Sequence, residues 1–213
     1  MGKMIEIRNL TKSFKGQIVL NGLSFSAEPG SITGIIGRNG SGKTVLFKCM
    51  CGFLLPDSGQ IIMNNKDVTK IRERNGMIGA IIEEPGFLDD VSGYKNLKYL
   101  ALLQGKIGEQ EILHALEQVG LLNERNKKVK KYSMGMRQRL GIAQVLMEDP
   151  PVMILDEPMN GLDQQGVEDM WNLFLDLKKQ NKTVILTSHN KEDIDILCDA
   201  VYRIDNGILT KER

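Results

Sequence analysis

The chain has 213 residues, enough for a substantial core in one large domain or a domain with an insertion. Its formal net charge of +1 sets up no strong field for nucleic acid or an anionic membrane. No apolar run approaches the ~18 residues that cross a bilayer, and the start, Met1 to Glu6, has no signal-peptide hydrophobic region. Three cysteines at unpatterned positions, Cys49, Cys51 and Cys198, fit buried or half-buried thiols in a reducing cytoplasm better than a disulfide framework. With only His114 and His189 in the chain, a zinc site is not expected.

Residues 4–8 alternate as a strand with one wet face. Residues 18–27 form a second β-prone stretch, closed by the turn Glu28-Pro29-Gly30. Between them, on a stretch that reads as a polar loop, stands Phe14. A flat apolar ring there suits adenine stacking and suits anchoring of the loop equally well.

Next come a β-prone run, residues 31–36, then Gly37-Arg38-Asn39-Gly40-Ser41-Gly42-Lys43-Thr44, then a helical run from Val45 to Met50. The octapeptide fits G-x-x-x-x-G-K-[ST] at every fixed position, in the strand–loop–helix context that the motif requires. Its glycines let the backbone curl so that N–H groups point inward at phosphate oxygens. The helix N-terminus behind them favours an anion. Lys43 is placed to reach the β- and γ-phosphates, and Thr44 to offer a hydroxyl to Mg²⁺.

Gly52 and Pro56-Asp57-Ser58-Gly59 break the chain before a strand at 60–64 that turns at Asn64-Asn65. A buried strand at 77–82 runs into Glu83-Glu84-Pro85-Gly86. From 93 to 147 the period becomes helical, with Leu97, Leu100 and Ala101, then Ile112, Leu113, Leu116 and Val119. This predicts a helical insertion, whose basic run from Lys127 to Lys131 reads as a solvated loop rather than a nucleic-acid patch. Ser133 is a good N-cap for a helix reaching Met147, which makes a second helix N-terminus suited to phosphate.

Val152 to Leu155 is apolar on both faces, as a central parallel strand should be, and ends in Asp156-Glu157-Pro158. Ligands of open α/β sheets bind at that edge, and two adjacent carboxylates there call for a cation such as Mg²⁺. An amphipathic helix at 164–180 carries Trp171, Phe174 and Leu177 as core contacts. A further apolar strand at 183–187 ends in Ser188-His189, where the histidine reads as structural or as a phosphate sensor. A closing hairpin turns around Asp205-Asn206-Gly207.

Taken in order, these pieces resemble the ATP-binding domain of an ABC (ATP-binding cassette) protein over nearly the whole chain. The residues that carry the likeness are the glycine loop, the signature variant Tyr132-Ser133-Met134-Gly135-Met136 followed by Arg137-Gln138-Arg139-Leu140, and Leu155-Asp156-Glu157-Pro158. Asn160-Gly161-Leu162-Asp163 and Ser188-His189 complete the set. The resemblance implies a P-loop α/β fold: a mixed sheet core with an N-terminal antiparallel β part, spanning 1–92 and 148–213, and a helical subdomain over 93–147 within a single domain, 1–213.

By the same resemblance, Phe14 stacks on adenine, Val19 lines the base, and residues 37–44 (Gly37, Arg38, Asn39, Gly40, Ser41, Gly42, Lys43, Thr44) bind phosphates. Thr44, Asp156 and Glu83 attend Mg²⁺, Glu157 is the general base, and His189 contacts the γ-phosphate. Ser133 and Gly135 bind the γ-phosphate of an ATP held by a second subunit, and Asp163 couples the two sites. Hence a dimer clamped around ATP is expected, hydrolysing it to drive transport through separate transmembrane permease subunits on the inner face of the membrane, with no nucleic acid involved.

Two departures stand out. The signature reads Tyr-Ser-Met-Gly-Met where Leu-Ser-Gly-Gly-Gln is most common, and Glu83 stands where the family usually has glutamine. This combination is similar to exporters of the bacitracin and lantibiotic resistance type. Members of that branch usually carry a longer tail than a chain ending at Arg213, as expected of a minimal subunit or a shortened chain. The alternative is a soluble ABC ATPase of the iron–sulfur cluster assembly type.

Overall fold

The structure, a computed structural model, describes residues 3–71 and 76–213. Two sheets and a set of helices account for the described residues. The first sheet is antiparallel, ordered β2-β1-β4-β5, from β1 (Ile5–Phe14), β2 (Gln17–Ala27), β4 (Ser58–Met63) and β5 (Lys66–Asp67). The second is mixed, ordered β10-β9-β3-β8-β7-β6, from β3 (Ile32–Ile36), β6 (Ile78–Ile81), β7 (Val152–Leu155), β8 (Thr183–Leu186), β9 (Ala200–Asp205) and β10 (Ile208–Lys211). Its strands pair in parallel except for the β9–β10 hairpin. The expected mixed core with an antiparallel N-terminal part is therefore borne out.

The apolar runs follow from burial on both faces. Val152 and Ile154 of β7, with Ile185 of β8, share a core with β1, β2, β4 and the helix α1 (Lys43–Met50). Their alternates Met153, Leu155, Val184 and Leu186 pack on the other side with Phe174 and Leu177 of α5 (Gln164–Lys179). A strand covered on both faces has no wet side, so its sequence shows no alternation. Cys49 and Cys51 lie in the first core and Cys198 in the second, all three buried.

Residues 93–147 hold α2 (Gly93–Gln104), α3 (Glu109–Gln118), α4 (Met134–Met147) and two 3-10 turns, Leu122–Glu124 and Val129–Lys131. Leu97, Ala101, Ile112 and Leu116 are buried, as their helical spacing predicts. The basic run is not simply a solvated loop. Val129 is fully buried, its N–H bonds to the Val91 carbonyl at 2.9 Å, and Lys128 and Lys130 both face Asp90.

Four details differ from the sequence reading. The first strand runs on to Phe14, so that residue ends a strand rather than riding on a loop. The strand expected at 60–64 begins earlier, at Ser58. Two elements were not foreseen: β5, and a short helix α6 (Lys191–Leu197) capped by Asn190, whose side chain accepts the Glu192 N–H. Trp171 is half-buried, and its indole nitrogen donates to Asp193 at 2.9 Å.

Candidate active site

The glycine loop joins β3 to α1. A Cβ on Gly37 would lie 2.3 Å from the Ile204 carbonyl, so only glycine lets the loop start so close to β9. Gly42, at φ 110°, is the N-cap of α1, and no side chain caps the helix there. The first N–H groups of α1 thus remain available to an anion. Lys43, only 8% exposed, folds back over the loop and donates to the carbonyls of Gly37 at 2.7 Å and Arg38 at 3.1 Å. The Ser41 hydroxyl is buried and lacks a hydrogen-bond partner. An ammonium held across a ring of amides, beside an unsatisfied hydroxyl, suits a polyphosphate.

The carboxylates come from the end of β7. Asp156 is gripped on both oxygens: Thr44 Oγ1 donates to Oδ2 at 3.2 Å and Thr187 Oγ1 to Oδ1 at 2.7 Å. Thr187 also accepts the Glu157 N–H at 2.8 Å, so one buried hydroxyl orders both acids. Glu157 takes a left-handed backbone, φ 50°, and the Gln138 side chain donates to its carbonyl at 3.3 Å. Its Oε2 accepts the His189 N–H at 3.2 Å, and Oε1 lies 3.1 Å from His189 Nε2. Oε1 is buried, and an N–H on His189 Nε2 is the donor within its reach. Burial pushes the Glu157 carboxyl above its ordinary value, and Asp156 adds to this, while His189 and Lys43 oppose it.

These groups face a cavity of about 750 Å³, whose lining includes Val19, Lys43, Thr44, Asp156, Glu157 and His189. Glu83 reaches it too, at φ 64°, but its carboxylate accepts from Lys48 at 2.8 Å instead of joining the Thr44–Asp156 pair. Among the described residues, no cluster of three or more His, Cys, Asp or Glu side chains is arranged to hold a metal. A hydroxyl and one carboxylate nonetheless fit Mg²⁺, which keeps several waters and substrate oxygens in its shell.

Phe14, Ser133, Gly135 and Asp163 are not among the cavity's lining residues, although Met134, Arg137 and Gln138 of the signature segment are. Phe14 is 42% exposed at the tip of β1, with Lys12 Nζ 5.5 Å from its ring centre. Asp57 clamps this tip, accepting from Lys12 Nζ, the Ser13 N–H and the Ser13 hydroxyl at 2.6–2.8 Å. Ser133 caps α4, accepting the Met136 N–H at 3.1 Å. A Cβ on Gly135 would meet the Gly161 carbonyl at 2.7 Å, so glycine lets the signature turn seat on the loop that leads to Asp163. Asp163 in turn caps α5, accepting the Gly166 N–H at 3.0 Å.

Sequence reasoning passed over Thr187, Asp57, Lys48 and Gln138. Thr187 did leave a signal, a hydroxyl at the end of an otherwise apolar buried strand. The others act only through tertiary contacts.

A glycine loop feeding a helix, a lysine and threonine at its mouth, and an acidic pair at the end of β7 define a P-loop nucleoside triphosphatase. More narrowly, the chain belongs to the ABC transporter family, which residues 20–160 match. It is 40% identical to the uncharacterized ABC transporter ATP-binding protein YybJ of Bacillus subtilis (strain 168), over 97% of this chain and 94% of that one. It is 37% identical to the bacitracin transport ATP-binding protein BcrA of Enterococcus faecalis, over 100% of this chain and 70% of that one. It is 36% identical to the lantibiotic transport ATP-binding protein SrtF of Streptococcus pyogenes, over 98% and 91%.

A dimeric post-hydrolysis state of the ATP-binding cassette MJ0796, bound to ADP and Pi, superimposes with a TM-score of 0.90 over 99% of this chain and 98% of that one. At 21% identity that likeness speaks for the fold. The protein is thus an ATP-binding, ATP-hydrolysing transporter subunit. The iron–sulfur assembly alternative gains nothing from these relatives. No helix among the described residues is long and apolar enough to cross a membrane.

Proposed function

We propose that this subunit sits on the inner face of the membrane, bound to separate membrane-spanning permease chains, and powers export of a peptide antibiotic or similar compound. The substrate class rests on the likeness to the bacitracin and lantibiotic transport proteins. The active form is a dimer with ATP between the subunits. Residues 93–147 act as the helical subdomain that presents Ser133 and Gly135 to the partner's ATP, and Asp163, at the start of α5, couples the two sites.

The observation that carries the site assignment is the unpaired buried oxygen of Glu157, placed beside His189 and at the mouth of the Lys43 loop. Glu157 takes the proton of the attacking water at that oxygen, and its raised proton affinity suits the task. The amides of 37–44 and the Lys43 ammonium hold the β- and γ-phosphates. His189 donates from Nε2 to the γ-phosphate. Thr44 and Asp156 hold Mg²⁺, which when bound neutralises charge on the phosphate oxygens. Phe14 and Val19 contact the base.

Light scattering of the Glu157→Gln variant tests this reading. With MgATP the variant accumulates as a dimer, and with ADP it stays monomeric. A monomer under both conditions would overturn the sandwich arrangement. Mild-detergent purification from native membranes separately tests the partner: a polytopic membrane protein should come with it.

A further inference from the structure

Four residues beyond His189, and not among the residues that line the cavity, lies a carboxylate that the proposed chemistry does not use. Asp193 of α6 is 2% exposed, and burying a carboxylate is costly unless its oxygens are satisfied. Both are. Oδ1 accepts the Trp171 indole N–H at 2.9 Å, and Oδ2 accepts the Ser188 hydroxyl at 2.5 Å. The Ser188 oxygen in turn accepts the Asn190 N–H at 3.0 Å. The residues on both sides of His189 are therefore tied to one buried hydrogen-bond system. Glu157 meets the His189 N–H and Nε2 at 3.2 and 3.1 Å.

Trp171 extends the system. It stands on α5, eight residues beyond the N-cap Asp163, about 12 Å along a rigid helix. We propose that Asp193 is a positioning residue for ATP hydrolysis. It holds the 188–190 turn so that His189 presents Nε2 to Glu157 and the γ-phosphate, and through Trp171 it fastens that turn to α5. Any tilt of α5 imposed at Asp163 by the second subunit then reaches His189 through three side chains. The inference rests on the roles given above to Glu157, His189 and Asp163.

The test compares kcat and KM for MgATP in Trp171→Phe, Ser188→Ala, Asp193→Asn and a control, Asp195→Asn, which alters an exposed carboxylate on the same helix. Trp171→Phe keeps an aromatic ring and removes the N–H. Trp171→Phe and Ser188→Ala should each lower kcat about tenfold with KM within about twofold of the parent. Together they should cost no more than about the larger single effect, because they cut one chain of contacts. A merely structural role would lower the melting temperature and leave kcat of the folded protein intact.

Values of kcat within about twofold of the parent for both variants would overturn the proposal even if Asp193→Asn fails to fold. Glu157→Gln and His189→Ala run alongside. If they retain turnover, the site reading itself fails. If they lose it while Trp171→Phe and Ser188→Ala keep it, only the positioning role of Asp193 fails.

Discussion

The two ends of the proposed nucleotide site are built differently. At the phosphate end the groups are buried or half-buried and held from several sides: the Asp156 carboxylate by two threonines, Lys43 by two carbonyls, and Glu157 at its backbone by Thr187 and Gln138 and at its carboxylate by His189. At the proposed base end one exposed ring, Phe14, sits at a hairpin tip fixed by a single surface aspartate. Charge stabilisation demands donors and acceptors fixed before the substrate arrives. Stacking on a base demands only a flat face. Changes at the phosphate end should therefore act on turnover, and changes at the base end on affinity.

Glu157 offers the largest effect. Removing its charge with Glu157→Gln should cut turnover on the order of 10²–10⁴-fold, read by phosphate release. The same variant should melt at a higher temperature at neutral pH. The sign follows from burial, which raises the folded-state pKa above the ordinary 4.5. Stability from that carboxyl is then full below 4.5 and lost as pH rises through the raised value. The gain of the variant should vanish near pH 4 and appear above it. By the same shift, the acidic fall of wild-type turnover should lie above 4.5. Equal melting temperatures of the two proteins at neutral pH would contradict this.

Thr187→Val is nearly isosteric and should cost about 1–3 kcal/mol in denaturant unfolding, because it leaves the part-buried Glu157 N–H and Asp156 Oδ1 without their partner. It should also raise the Mg²⁺ concentration needed for half-maximal turnover, since Asp156 is then held by Thr44 alone. An unchanged Mg²⁺ requirement would show that Thr44 suffices to orient the acid.

The contrast between the two ends also explains what could be read from the chain. The phosphate end was legible because its chemistry is local: a glycine loop, a lysine and a threonine in eight residues, and two acids closing an apolar strand. The strands of the central sheet were legible because burial on both faces leaves an unbroken apolar run. Phe14 reads as a loop residue because Lys12, Ser13 and Lys15 surround it. Yet Lys12 is drawn to Asp57, about forty-five positions away, and pairing with β2 and β4 carries the strand through a polar stretch. α6 leaves no signal in the sequence because a seven-residue helix with Asn190 as its cap gives too short a period to see. Glu83 reads as a metal-site acid because it stands where the resembled family has glutamine, whereas its contact with Lys48, on another element, could be seen only in the folded chain.

The smallest expected effects belong to the base end. Phe14→Ala should raise KM for ATP about two- to fivefold with kcat unchanged, in keeping with stacking on an exposed ring. Asp57→Ala should do the same more weakly, about twofold, since it frees the tip without removing the ring. The hydrogen bonds from Lys12 and Ser13 hold the Asp57 carboxyl down at about 2. For a lowered carboxylate the clamp is complete above its ordinary value of 3.8 and fails only as pH falls toward about 2. Across the pH range in which Glu157 changes its charge, Asp57 stays ionised. The Asp57→Ala penalty on KM should therefore be flat with pH while kcat of the same variant follows the wild-type acidic limb. A penalty that tracked the Glu157 limb would mean that the two ends are coupled, and the division between affinity and turnover would not hold.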